Sequence, residues 1–119
     1  MTEKPPQIDW QFCLQIANNK SELADKMLVK FVAYLDELLP ELARIEKNSE
    51  NPAQLTEKIH KLRGASCYCG APYIKALTAD IEQALQTKAA ADNILLLFTQ
   101  LKQEIVDFKK LYVSKQYKN

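Results

Sequence analysis

Apolar residues recur along most of this chain at steps of three and four, the period of a helix buried on one face. The first such stretch carries Trp10, Cys13, Leu14 and Ile16–Ala17 toward a core. Asp9 precedes it with a short carboxylate suited to the N-cap, and Asn18 and Asn19 end it. A second stripe opens at Ser21 and Glu22 and runs through Leu23, Met27–Leu28, Phe31–Val32, Leu35, Leu38–Leu39, Leu42 and Ile45. Pro40 falls inside it, removing one backbone hydrogen bond and crowding the preceding turn, at a cost of ~3 kcal/mol in an ideal helix interior. The stripe keeps its phase across the proline, so the pattern predicts one long kinked helix rather than two.

Asn51-Pro52 is an N-cap followed by proline at the first helical position, a start signal for a third helix. Leu55, Ile59, Leu62 and Ser66 share one side of it, and Gly70 suits the residue just past its end. Pro72 starts a fourth helix with Ile74, Leu77, Ile81 and Leu85 inward; only a loss of phase between Gln86 and Asn93 marks its end. In the last helix Ile94, Phe98, Leu101, Ile105, Phe108 and Tyr112 alternate four- and three-residue steps, the seam of a bundle. The expected fold is all-α: an up-down four-helix bundle with a short additional N-terminal helix. It occupies residues 8–117, after a disordered lead-in at 1–7 that is polar and holds two prolines.

Composition narrows the function classes. The 119 residues suit one domain, and a hydrophobic content of 47% suffices for its core. Sixteen basic against fifteen acidic side chains leave a formal charge of +1 without a basic stripe, which argues against nucleic-acid binding. Three cysteines (Cys13, Cys67, Cys69) with no secretory signal argue against a disulfide framework and for a reducing compartment. Apolar runs such as Ile94 to Phe98 are far short of a membrane span, so no direct membrane contact is expected. There is a single histidine, no glycine-rich phosphate loop and no nucleophile elbow.

Candidate chemistry concentrates between Glu57 and Gly70. On a helix, the inward residues Leu55, Ile59, Leu62 and Ser66 fall within roughly 60° of arc, and His60 points about 130° from their middle, toward solvent. Thr56, Arg63, Gly64 and Cys67 share its side. A lone exposed histidine is ordinarily a surface residue, and Arg63 and Lys61 would then belong to a solvated face. Gly64 fits that reading poorly. A mid-helix glycine costs ~1 kcal/mol relative to alanine, and no packing partner on this face requires it. Something from outside the fold is therefore expected to approach the backbone beside the only histidine.

The run His60-Lys61-Leu62-Arg63-Gly64-Ala65-Ser66, with Gly70 beyond it, resembles the signature of the histidine phosphotransfer (HPt) family. The resemblance extends to Ile8-Asp9-Trp10, Leu39-Pro40-Glu41, Asn51-Pro52, Cys67-Tyr68-Cys69-Gly70-Ala71-Pro72 and Ile81-Glu82-Gln83. In detail the chain is most similar to the C-terminal HPt domains of BarA/GacS/LetS-type hybrid sensor kinases. This implies a phosphocarrier without kinase activity of its own. His60 would be the phosphoacceptor, Arg63 and Lys61 would stabilise the phosphoryl group, and Glu82 would orient the imidazole. Thr56, Gly64 and Cys67 would form the docking face for a receiver domain. The implied partners are the receiver of a hybrid sensor kinase and a downstream response regulator, with Mg²⁺ on the receiver and no cofactor or metal on this chain. The isolated domain is expected to be monomeric and cytoplasmic, including as the C-terminal domain of an inner-membrane sensor kinase.

Two alternatives compete. A metal site built from His60, Cys67 and Cys69 is disfavoured, since cysteines two apart on a helix point roughly 200° apart. A helical interaction module that carries no phosphate accounts for an exposed helix but not for the pairing of His60 with Gly64.

Overall fold

Residues 6–48 and 52–118 are described in the computed structural model. The first helix, α1 (Trp10–Ile16), starts where expected: the Asp9 side chain accepts a hydrogen bond from the Phe12 N–H at 3.1 Å. Asn18 and Asn19 then take positive φ values of 58° and 63° and turn the chain, a conformation that asparagine tolerates better than most residues. Helix α2 (Ser21–Asn48) runs unbroken through Pro40, as the constant phase of its stripe predicts. The expected cap at Asn51 lies outside the described residues, as do the first five residues of the expected lead-in. Helices α3 (Pro52–Tyr68), α4 (Pro72–Gln86) and α5 (Ala91–Ser114) follow, and a 3₁₀ turn (Gln116–Lys118) closes the chain.

Among the described residues there is no strand. The links 69–71 and 87–90 are short, so α3, α4 and α5 alternate in direction. Packing closes a ring: α2 on α3, α3 on α4, α4 on α5 and α5 on α2. Leu28, Leu35, Leu42, Ile59, Leu62, Ile74, Ile81, Leu101, Ile105 and Phe108 are fully buried at its centre. Each such side chain contributes roughly 1.5–3 kcal/mol relative to exposure.

Two expected core positions do not hold. Ile16 is 37% exposed and Leu23 44% exposed, whereas Ala17 and Ala24 are completely buried. The buried positions 10, 13 and 17, and then 24, 28, 31 and 35, keep a helical period, and Ile16 and Leu23 each stand one residue off it. The 3₁₀ turn was also not predicted. Its Tyr117 packs edge-on against Trp10 with ring centroids 5.8 Å apart, and Lys118 lies over the same indole while bonding Asp25 at 2.8 Å. These contacts hold α1 against the end of the bundle.

Candidate functional site

Ile59 and Leu62 are sunk completely into the core and fix the rotation of α3 about its axis. His60 is thereby turned outward, with its side chain 79% exposed. On α4, Ile81 is buried in the same way, which brings Glu82 to the groove between the two helices with its side chain only 13% exposed. The Glu82 carboxylate sits behind the imidazole. Oε1 lies 3.5 Å from His60 Nδ1, and Oε2 accepts a hydrogen bond from Arg63 Nη1 at 3.0 Å. Oε1 is itself buried and has no hydrogen-bond partner among the described residues. Three of the residues singled out in the sequence thus form one cluster, Arg63–Glu82–His60, bridging α3 and α4.

Gly64 lies one turn beyond His60, and a Cβ placed on it would meet nothing within 4 Å. No helix contact requires a glycine there. The other glycine differs: Gly70 has φ +63°, and a Cβ would fall 2.6 Å from both the Asp9 carbonyl oxygen and Cys13 Sγ. Its own carbonyl accepts from the Asp9 N–H at 2.8 Å, so Gly70 seats α1 on the α3–α4 corner. Ser66 is buried beneath this stretch and donates its hydroxyl to the Arg63 carbonyl at 2.8 Å.

The remaining expected residues spread around this centre. Thr56 is exposed one turn before His60, and Cys67 is half-buried, lining a shallow cleft with Phe12, Pro72 and Lys75. Lys61 is exposed toward α2. There the Lys58 ammonium, hydrogen-bonded to Glu41, holds that carboxyl below its usual range, and the charges of Arg44 and Lys61 add to the effect. One residue escaped the sequence reading. Tyr68 is 67% exposed at the end of α3 and borders an apolar groove with Met27, Phe31, Tyr34 and Ala65. Its only sequence signal is an aromatic residue standing off the inward stripe.

Two of the three cysteines sit where the thiolate is disfavoured. Burial pushes the Cys13 thiol up to about 12, and the nearby Cys69 and Asp9 add to the shift; burial likewise raises Cys69 to about 11. Both thiols are thereby held in the protonated form at neutral pH. The Cys13 thiol donates to the Cys69 carbonyl at 3.2 Å. Among the described residues no group of histidine, cysteine and carboxylate side chains could hold a metal ion.

Comparison with known proteins converges on one family. The family model described as Hpt domain matches residues 26–110. The signal transduction histidine-protein kinase BarA of Escherichia coli (strain K12) is 34% identical over 87 residues, which are 73% of this chain and 9% of that protein. The sensor protein GacS of Pseudomonas syringae pv. syringae is 33% identical over 85 residues, 71% of this chain and 9% of that protein. The chain therefore spans about a tenth of the length of the curated relatives it matches. A crystallised HPT domain from a hybrid histidine kinase of Shewanella superposes with a TM-score of 0.80 at 30% identity, covering 91% of this chain and 92% of that one.

Proposed function

The chain belongs to the Hpt domain family, and from that premise we propose that His60 carries a phosphoryl group from the aspartate of one receiver domain to that of a response regulator. The observation that carries this reading is the geometry of α3 and α4. A lone imidazole faces solvent, a carboxylate stands behind its Nδ1, and the next turn presents a backbone with open space above it.

Each part has work to do in such a transfer. Phosphoryl transfer depends on in-line placement and on neutralising charge at the phosphoryl oxygens more than on covalent help from the carrier. The Nε2 lone pair attacks phosphorus as the bond to the aspartate oxygen breaks. Arg63 supplies guanidinium donors one turn away, and Lys61 adds positive charge at the edge of the site. Thr56, Gly64, Cys67 and the exposed Tyr68 form the surface against which the receiver packs. The receiver contributes its acidic cluster and Mg²⁺; this chain contributes no kinase chemistry. Residues 8–117 make up the carrier unit, acting as a monomer in the cytoplasm, whether alone or as the end of a sensor kinase.

The decisive experiment supplies a phosphorylated receiver domain and follows label on this chain. Acid-labile, base-stable label is expected on His60 and none from ATP alone. His60→Gln should remain folded, because the side chain lies outside the core, and should take up no label. Label retained by that variant would sink the proposal.

A further inference from the structure

A helix leaves the carbonyls of its last turn without partners in its own ladder. At the end of α3, Gly70 takes the left-handed conformation and the Ala71 N–H returns to the Ser66 carbonyl at 3.4 Å, which closes that turn. The next two carbonyls, those of Cys69 and Gly70, belong to the link into α4, and both are taken by the first helix and its cap. The Cys13 thiol donates to the Cys69 carbonyl at 3.2 Å, and the Asp9 N–H donates to the Gly70 carbonyl at 2.8 Å. The approach is so close that Gly70 has no room for a Cβ.

This clamp sits where the proposed docking face ends. Cys67 and Tyr68 occupy the last turn of α3, directly before the clamped carbonyls, and Phe12 of α1 borders Cys67 across a shallow cleft. The clamp is an addition to the bundle, since α2 to α5 close their ring through contacts of their own. From the other side the segment is held by α5 and the 3₁₀ turn. Ile8 and Trp10 are buried, the Gln7 amide donates to the buried Glu104 at 2.9 Å, and Tyr117 packs on Trp10.

We infer that α1 is a positioning element for phosphotransfer: by capping the link between α3 and α4 it holds the Cys67–Tyr68 turn in the shape on which a receiver docks. This rests on the phosphocarrier reading above. A surface ordered in advance has less conformational freedom to lose on binding, so the gain falls on affinity and not on the chemical step. His60 lies two turns before Tyr68, on a stretch of α3 anchored by Ile59 and Leu62, and keeps its surroundings when the clamp is loosened. Cys13 is buried and Tyr117 follows α5, so a change at either reaches the docking face through α1. Cys13 and Tyr117 are therefore positioning residues: one bonds the link, and the other holds α1 against it.

The test compares the full parent chain with Tyr117→Ala, Cys13→Ala, Cys13→Ser and Phe98→Leu, the last a core substitution early in α5 and away from the seat of α1. Each protein, below its melting temperature, is mixed with one phosphorylated receiver domain over a range of receiver concentrations. Tyr117→Ala should raise the half-saturating receiver concentration about tenfold, the scale of ordering one more residue on binding, and leave the plateau rate unchanged. Cys13→Ala should raise it about threefold, the scale of one weak hydrogen bond. Cys13→Ser, with a hydroxyl to donate to the same carbonyl, should restore it. Hydrogen exchange at the Asp9 N–H should quicken in Tyr117→Ala. Phe98→Leu should lower the melting temperature yet keep the parent's half-saturating concentration. An unchanged half-saturating concentration in Tyr117→Ala and Cys13→Ala, a loss confined to the plateau rate, or an equal rise in Phe98→Leu overturns the inference and leaves the phosphocarrier reading standing. No label on His60 of the parent overturns both.

Discussion

Arg63 lies one turn beyond His60, yet its guanidinium is not free in solvent: Nη1 is bonded to Glu82. Guanidinium carries five N–H donors in a fixed plane, so one can stay on the carboxylate while others meet phosphoryl oxygens. Arg63 then stands between two anions that would otherwise repel. Arg63→Ala should slow transfer onto and off His60 by about tenfold or more, the scale of losing one charge-assisted donor. Arg63→Lys should be milder but not neutral, because a single ammonium must divide itself between Glu82 and the phosphoryl group. Rapid-quench transfer kinetics on the three proteins would decide, and an alanine variant with parent rates would remove Arg63 from the mechanism. The position of Arg63 beside His60 was legible in the sequence, since a helical period fixes neighbours three and four apart. Its bond to Glu82 was not, because the rotation of α4 against α3 depends on how Ile59, Leu62 and Ile81 pack together.

Within α3, Gly64 sets local stability against use. It weakens a helix in which its own space is open, so Gly64→Ala should raise stability by up to ~1 kcal/mol. Gly64→Gln should also fold, since nothing in the bundle occupies that side. Transfer should fall with each increase in size, because a receiver aspartate can reach Nε2 only by packing close to this backbone. Thermal denaturation and transfer assays on the same variants check both halves, and bulky variants that unfold would show the glycine to be structural. Most elements could be read from the chain: Asp9, Pro52, Pro72 and the Asn18–Asn19 turn are local signals that tertiary contacts did not override. The exceptions have a common cause. Ile16 and Leu23 are large and apolar and so read as inward, but each stands one residue before the buried position, which Ala17 and Ala24 hold. Which residue of an apolar pair turns inward is set by the packing between elements, not by either element alone.

For the molecule as a whole, buried acidic groups that prefer to remain protonated set an alkaline limit. Burial raises Cys13 to about 12, Cys69 to about 11 and Tyr117 to about 12. Below the unfolded thiol value near 9 both states keep these protons, and these groups add no pH dependence to stability. Above it the unfolded chain releases protons that the folded chain retains, so stability declines as pH rises toward the folded values, by at most about 1.4 kcal/mol per pH unit for each group. Urea denaturation on either side of that threshold should show this decline, and Cys13→Ala should make it shallower. An unchanged slope in that variant would show that the buried thiol is not responsible. The same end of the molecule carries a consequence for assembly. Helices α2 to α5 each pack on a sequence neighbour, and such contacts close quickly. The first helix packs on α2 but also depends on distant residues: its Cys13 thiol reaches a carbonyl 56 residues away, and its Trp10 packs on Tyr117. Among these helices α1 is thus made first but completes its seat last, once nearly the entire domain has been synthesised.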